Sequence, residues 1–183
     1  IQTFKPIGQF EFAEYELAKL SVPLIMEMLE YIQREKFTEI IISTAGPIGL
    51  TALLAAKLLN LQTSGINHTD FPQYIRILTE DSFLESVAWR YMHWFYGQLD
   101  TVFVNSEEYR QSRIKRGFEP AKLKILPRGL DTELFQPSRR DPQFWNKTTQ
   151  TNGEVRLQYV GRITKEKDLD VPASAFRQHR ADT

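Results

Sequence analysis

The sequence predicts an α/β protein: a Rossmann-like parallel sheet with helices on both faces, followed by the start of a second α/β domain. Three observations lead to this prediction. Short apolar runs alternate with longer segments of helical period, turns with glycine or proline separate them, and a polar stretch divides the chain near its end. Strands that alternate with helices form parallel sheets with right-handed crossovers. We therefore expect a partial N-terminal domain at 1–136, a linker at 137–153 and a truncated second domain at 154–183.

The first elements are one helix and one buried strand. Residues 1 to about 20 show no clean period and are predicted to be irregular. Ser21 offers a side-chain cap and Pro23 suits a first turn, so a helix is predicted from there to about Lys36. The wholly apolar run at 40–42 is typical of a strand that is covered on both faces.

The alternation continues to the end of the first predicted domain. The aromatic residues of its long helix are expected mostly in the core. In chain order, the predicted elements are a turn at 45–50, a helix at 51–59, a weaker strand at 63–67, a loop at 68–72, the long helix at 80–97, a strand at 101–104, a helix from the cap Ser106 to near Gly117, and a strand at 122–126.

The composition excludes several classes of function. The 23 basic residues balance 23 acidic ones, so bulk charge gives no support to nucleic acid as a partner. Without cysteine there is no disulfide framework, and three separated histidines, His68, His93 and His179, argue against an all-protein metal site. We expect no metal and no cofactor. No apolar run reaches the roughly 18 residues of a spanning helix.

A strand predicted at 155–160 leads into a candidate phosphate site. It ends at Gly161, and two cations, Arg162 and Lys167, follow five residues apart. A glycine at the tip of a strand lets the backbone approach a ligand, and the two cations can bracket an anion. An ordinary solvated turn is the alternative interpretation of these residues.

The turn that contains Gly46, Pro47 and Gly49 is a second candidate. Glycines at a strand-to-helix junction can admit a pyrophosphate to the helix N-terminus. The spacing differs from G-x-G-x-x-G, and a proline lies inside the turn. A structural turn, or a surface beside a substrate pocket, is therefore favoured over a dinucleotide site.

His68 follows the carboxyl end of a predicted strand, which is where ligands bind in open α/β sheets. A structural role is the alternative, and Asp70 could orient His68 or face solvent. His93 is predicted to pack or to lie on the surface. A basic helix end is predicted to be mostly a solvated face, with anionic lipid as a secondary interpretation; it comprises Arg110, Arg113, Lys115 and Arg116.

Five short motifs stand in the order found in a known family. They are STAGPIGL at 43–50, HTDFPQY at 68–74, VNS at 104–106, LPRGLDTELFQP at 126–137 and YVGRITKEK at 159–167. With these motifs the chain resembles the family 4 retaining glycosyltransferases, which have the two-domain GT-B fold.

The resemblance implies transfer of a sugar, with retention, from a nucleotide-sugar donor to a sugar, lipid or other small acceptor in a cleft between two domains. Arg162 and Lys167, beside Gly161, would hold the donor diphosphate and stabilise the leaving group without a metal, and His68 would contact the donor sugar. The other residues close to the substrate would be Asp70, Gly46, Pro47 and Gly49, with the glycine turn on the acceptor side.

Two residues depart from the family pattern: Arg128 replaces the usual asparagine, and Asp168 follows Lys167 where glycine or asparagine is common. The family's first glycine-rich turn is expected before Ile1 and its glutamate pair after Thr183, so the chain is expected to be a fragment that is inactive alone. The family also suggests a cytoplasmic protein with peripheral membrane contact. A GT-B phosphorylase or epimerase, and a non-catalytic α/β binding module, remain as alternatives.

Overall fold

The computed structural model describes residues 2–12, 15–126, 129–149, 158–161, 163, 167–171 and 174. The chain divides into two compact units, Ile1–Pro127 and Arg128–Thr183. The elements of the first unit, in chain order, are β1 (Pro6–Phe12), β2 (Tyr15–Pro23), α1 (Ile25–Arg34), β3 (Glu39–Ile42), α2 (Pro47–Leu58), β4 (Gln62–Asn67), α3 (Phe71–Thr79), α4 (Ser82–Gly97), β5 (Thr101–Val104), α5 (Glu107–Lys115) and β6 (Leu123–Ile125).

A four-stranded parallel sheet organises the first unit, with the strand order β3-β4-β5-β6. Its register aligns Ile42, Gly65, Val102 and Leu123 in one row across the sheet. Every strand of the sheet is followed or preceded by a helix, because each parallel pair needs a crossover. The predicted Rossmann-like α/β class is confirmed.

The core lies between this sheet and the helices that flank it. Phe95 of α4 and Leu99, just after that helix, are fully buried together with Val104 of β5. A smaller cluster joins α1 to α2 through Met28, Ile32 and Ala55. Among the described helices, even α4, with 16 residues, lacks the length and apolarity needed to cross a membrane.

The expectation of an irregular N-terminal segment is wrong, because β1 and β2 form an antiparallel hairpin. Gln9 pairs with Ser21, and the Gln9 Nε2 donates a hydrogen bond of 3.4 Å to the Ser21 Oγ. Ser21 therefore belongs to a strand and caps no helix. Backbone pairing between these two neighbouring strands overrides the weak local pattern.

Three helices begin at residues other than those predicted. α1 starts after Leu24, without a side-chain cap, and Pro23 ends β2. α2 begins inside the predicted turn, with Gly46 as N-cap and Pro47 in its first turn. α3 begins within the predicted loop and takes its last two residues, since Pro72 lies in the first turn, where a missing N–H breaks no helical bond.

β3 is covered on one face only, which corrects the prediction of a strand buried on both faces. It lies at an edge of the described sheet, and Ile41 is 60% exposed while Ile42 is 4% exposed. β4, in the interior of the sheet, has the burial expected for β3. Its residues Thr63, Ser64 and Gly65 are buried on both faces although they are not strongly apolar.

The second unit contains a 3-10 turn at Pro137–Arg139 and a short helix, α6 (Phe144–Thr149), within the stretch that composition predicts to be a linker. The Asp141 Oδ1 accepts a 2.8 Å hydrogen bond from the Gln143 N, which lowers the pKa of that carboxyl. The strand predicted at 155–160 falls largely outside the described residues, so it remains a prediction.

Asp100 links two neighbouring strands of the sheet. Its Oδ2 accepts hydrogen bonds from the Thr63 N at 2.8 Å and the Thr63 Oγ1 at 2.9 Å. These two bonds, the backbone one first, hold the pKa of Asp100 below its usual value of 3.8. The ionised carboxylate thus joins the start of β5 to β4.

We expect Asp100→Ala to lower the free energy of unfolding by about 1 kcal/mol at neutral pH, because the Thr63 donors lose their acceptor. Since folding lowers this pKa, the contribution is complete above the usual pKa and disappears as the pH falls through the folded value. Urea denaturation at about pH 7 and about pH 3 measures the difference. Asp100→Asn, which cannot ionise, is the control; a wild-type advantage over Asp100→Ala that persists unchanged at the lower pH contradicts this account.

Candidate functional site

A cavity of about 510 Å³ opens at the carboxyl ends of β3 and β4. The turn between β3 and α2 forms one wall, with Ser43, Thr44, Gly46 and Pro47. The segments that follow adjacent parallel strands lie at the same edge of the sheet, which is where α/β proteins place their ligand sites. The structure therefore places the glycine turn after β3 and the end of β4 in one pocket.

His68 lies on the opposite wall, directly after β4, with Ile66 and Phe71 beside it. Its Nδ1 is buried and finds no hydrogen-bond partner among the described residues. Buried polar atoms are nearly always paired in folded proteins. An unpaired ring nitrogen in a pocket wall marks a place where a ligand or solvent can supply the missing partner.

Three side chains of α4 complete the cavity: Tyr91, Met92 and Tyr96. The Tyr91 hydroxyl donates to the carbonyl oxygen of Ala45 at 2.6 Å, and the Tyr96 hydroxyl donates to that of Ile66 at 3.0 Å. Burial raises the pKa of both phenols, so they remain neutral donors at physiological pH. The two bonds tie α4 to the ends of both strands.

Gly49 lies where α2 packs against the end of β3, and it is absent from the described lining of the pocket. A Cβ at this position would stand 1.9 Å from the carbonyl oxygen of Thr44 and 2.9 Å from the Ile42 Cγ2. Only glycine lets α2 approach the end of β3 this closely. The substrate-proximal role predicted for Gly49 stays a prediction, whereas its packing role is a direct consequence of this approach.

We expect Gly49→Ala to destabilise the protein by about 3 kcal/mol or more, because the added methyl group overlaps backbone that cannot yield without moving β3 or α2. Thermal or urea denaturation measures the loss. Gly97→Ala is the matched control, since a Cβ there meets nothing within 4 Å. That variant should be neutral or slightly stabilising, and an equal loss in both would contradict the packing role.

Arg113 corrects the prediction that the basic end of α5 is a solvated face. The residue is 1% exposed. Its guanidinium forms an ion pair with Asp70 and donates from Nε to the Asn67 Oδ1 at 3.4 Å. Its Cζ lies 3.9 Å from the ring centroid of Tyr109 and 5.1 Å from that of Trp89.

This contact determines the surroundings of His68. Asn67 and Asp70 flank the segment that contains His68, and both are held by the one guanidinium of Arg113. Asp70 therefore pairs with a buried cation and is absent from the described pocket lining. A buried charge without its partner is costly, so the pair holds α5 and the His68 segment in one arrangement.

We expect Arg113→Met to lower the free energy of unfolding by about 3 kcal/mol, because it removes the partner of Asp70 and the donor to Asn67. Arg116→Met is the control at the C-cap of the same helix, since the exposed Arg116 stacks on Trp89, at 3.8 Å, and should cost under about 1 kcal/mol. Chemical denaturation of Arg113→Met, Arg116→Met, Asp70→Asn and the double variant Arg113→Met/Asp70→Asn measures the coupling. The ion pair predicts that the double variant is more stable than the sum of the two single losses. A double variant that shows the full sum would refute the ion pair.

The phosphate-like motif lies in the second unit. Gly161 and Lys167 are exposed, and Arg162 lies outside the described residues. Asp168 has a φ of +47°, in the left-handed region that glycine and asparagine occupy most readily. That backbone explains why the family commonly has glycine or asparagine there. The phosphate roles of these residues stay predictions.

His93 lies on the surface, one of the two alternatives predicted from the sequence: it is exposed, its Nε2 lies 2.9 Å from the carbonyl oxygen of Gly117, and its ring meets Phe118 edge-on. Over the part of the chain that the structure describes, no group of three or more histidine, aspartate or glutamate side chains is arranged to hold a metal ion.

The pocket contains residues that sequence reasoning missed. Tyr91, Met92 and Tyr96 were predicted only as part of an aromatic helix, and the helical spacing of such residues is the same for a core and for a pocket wall. Arg113 gave no local signal, because a basic residue near a helix C-terminus is ordinary on a solvated face.

A parallel α/β sheet with a pocket at the carboxyl ends of its strands defines this unit as a Rossmann-like domain. The sequence model described as Glycosyltransferase Family 4 matches residues 3–134. The chain therefore belongs to glycosyltransferase family 4, the family of the predicted GT-B resemblance.

A curated relative is the sulfoquinovosyl transferase SQD2 of Arabidopsis thaliana, with 29% identity over 166 residues. The alignment covers 88% of this chain and 32% of the relative. The chain thus spans about a third of the length of that protein.

Proposed function

We propose that the protein that contains this chain transfers a sugar from a nucleotide-sugar donor to an acceptor hydroxyl with retention of configuration. The main support is the pocket of the first unit, which joins the glycine turn at 43–50 and His68 in a chain that belongs to glycosyltransferase family 4. The name of the curated relative, a sulfoquinovosyl transferase, agrees with sugar transfer as the reaction class.

The reaction exchanges one bond at the anomeric carbon of the donor sugar. The acceptor oxygen forms a bond to this carbon, and the bond from the carbon to the diphosphate oxygen breaks. The acceptor proton passes to the departing diphosphate, which leaves as the nucleotide. Negative charge grows on the diphosphate as the bond breaks, so cations placed there stabilise the transition state more than the ground state.

Arg162 and Lys167 are the residues to which we assign this role. A guanidinium binds phosphate oxygens with a planar pair of donors, and a lysine ammonium adds a compact charge on a flexible stem. Lys167 is exposed, as a group that receives a diphosphate must be. His68 would contact the donor sugar, and the turn with Gly46 and Pro47 would face the acceptor. This assignment needs no covalent nucleophile.

We expect Arg162→Ala and Lys167→Ala to lower kcat/KM for sugar transfer by roughly a hundredfold each, because the leaving diphosphate loses a cation in the transition state. The assay follows donor consumption in the full-length protein with a panel of nucleotide sugars. Lys57→Ala is the control, since Lys57 is an exposed lysine of α2 outside the described pocket lining.

Near-normal turnover in both variants would refute the phosphate assignment. Calorimetric titration with the same nucleotide sugars separates this result from a failure of the proposal as a whole. A full-length protein that binds no nucleotide sugar would instead be a non-catalytic module. Phosphate-dependent cleavage of a glycoside would identify a phosphorylase, in which the same cations bind phosphate.

A further inference from the structure

We infer that the pocket of the first unit takes an acceptor alcohol with an apolar body, and that its hydroxyl pairs with the Nδ1 of His68. The role of this alcohol as the acceptor rests on the proposed function. The binding itself does not, because the cavity and its lining belong to this unit alone. The inference selects one of the acceptor classes that the sequence leaves open.

The side chains that line the cavity are mainly apolar. Its apolar contributors come from all three walls: Pro47 and Leu50 from α2, Ile66 and Phe71 from either side of His68, and Met92 from α4. Leu50 is 40% exposed and Phe71 is 42% exposed in the absence of a ligand. A ligand that covers these side chains removes apolar surface from water, which favours binding.

The two tyrosines add carbon as well. Their hydroxyls are committed to the carbonyl oxygens of Ala45 and Ile66, so the pocket receives the rings of Tyr91 and Tyr96. Breaking either bond to satisfy a ligand would remove a hydrogen bond from a partly buried carbonyl oxygen. The polar side chains that remain in the lining are His68 and the hydroxyls of Ser43, Thr44 and Thr69.

A sugar acceptor matches the polar and apolar side chains of this pocket poorly. A pyranose carries hydroxyls around its whole ring, and each one that enters a protein site gives up bonds to water and needs a replacement. The described lining places its other hydroxyl side chains next to the strand ends and leaves the α4 wall without a free donor side chain, because both phenolic protons are already donated. An alcohol with one polar end and an apolar body matches this asymmetry.

His68 supplies the polar end. Its Nδ1 is buried without a partner among the described residues, and His68 lines the cavity. An acceptor hydroxyl bound there would satisfy that atom and leave the rest of the ring for the donor-sugar contact of the proposed function. The remainder of the acceptor would lie against the apolar walls. The volume of about 510 Å³ is in the range of pockets that enclose small organic ligands.

Methionine methyl NMR tests the inference without any donor or transfer reaction. The chain has three methionines, and Met92 lines the pocket whereas Met26 and Met28 lie on α1. In the full-length protein labelled at methionine methyl groups, with the Met26, Met28 and Met92 signals assigned by substitution, 1-octanol and 4-phenylbutanol serve as alkyl and aromatic alcohols. Methyl glucoside serves as the sugar, and the methyl ether of 1-octanol reports on the hydroxyl.

We expect the alcohols to shift the Met92 signal saturably and to leave the two α1 signals in place, with methyl glucoside silent at the same concentration. Leu50→Gln should weaken alcohol binding about tenfold, because it replaces apolar wall by an amide. Leu54→Gln, one turn further along α2, exposed and outside the described lining, should bind as the wild type does. His68→Ala should remove the preference for the alcohol over its ether.

Several results would overturn the inference. Methyl glucoside that shifts Met92 as strongly as the alcohols, or alcohols that shift all three signals alike, would exclude a specific apolar site. An ether that binds as tightly as its alcohol in the wild type would exclude the His68 contact. A preference for either alcohol identifies the apolar body as alkyl or aromatic. Binding of the alcohols by a protein that transfers no sugar would leave this inference standing and refute the proposed function.

Discussion

A single buried guanidinium holds the segment that carries His68 into the wall of the pocket. Arg113 projects from α5 into the space behind β4, where it meets Asn67, Asp70 and the ring of Tyr109. Burial of a cation is unfavourable unless its partners are in place, so the ion pair and the fold around it form together. His68 lies between the two residues that Arg113 binds, and its position is therefore set by a residue from a helix more than forty positions along the chain.

The other wall depends on the absence of a side chain. Gly49 lets α2 pass against the carbonyl oxygen of Thr44, and this close approach brings Pro47 and Leu50 to the mouth of the pocket. Tyr91 and Tyr96 then bridge from α4 to the ends of β3 and β4 through their hydroxyls. Because these bonds use the polar groups of both tyrosines, the same contacts that stabilise the fold also make the cavity apolar. The contacts that hold α4 against the strand ends therefore also determine the polarity of the cavity.

The elements that the sequence predicted correctly carry a strong local signal. The strand at 101–104 is a short apolar run, and the helix after Ser106 has its cap, since the Ser106 Oγ accepts from the Tyr109 N at 3.2 Å. The hairpin of β1 and β2 and the helix α3 were missed. Backbone pairing between two neighbouring strands without a clean period stabilises the first, and the second has in its first turn a proline that, in local sequence, equally favours a loop.

Local residue order establishes the alternation of strands and helices, the five motifs and the histidine at the end of β4, because periodicity, caps and turns act over a few neighbouring residues. Tertiary structure decides which of these residues meet. Arg113 is buried and not solvated, Asp70 pairs with it and does not line the described pocket, and Met92 forms a wall and not only core. Such outcomes depend on contacts between segments that lie far apart along the chain, where the desolvation of a charge or the closeness of two backbones is determined by the whole fold.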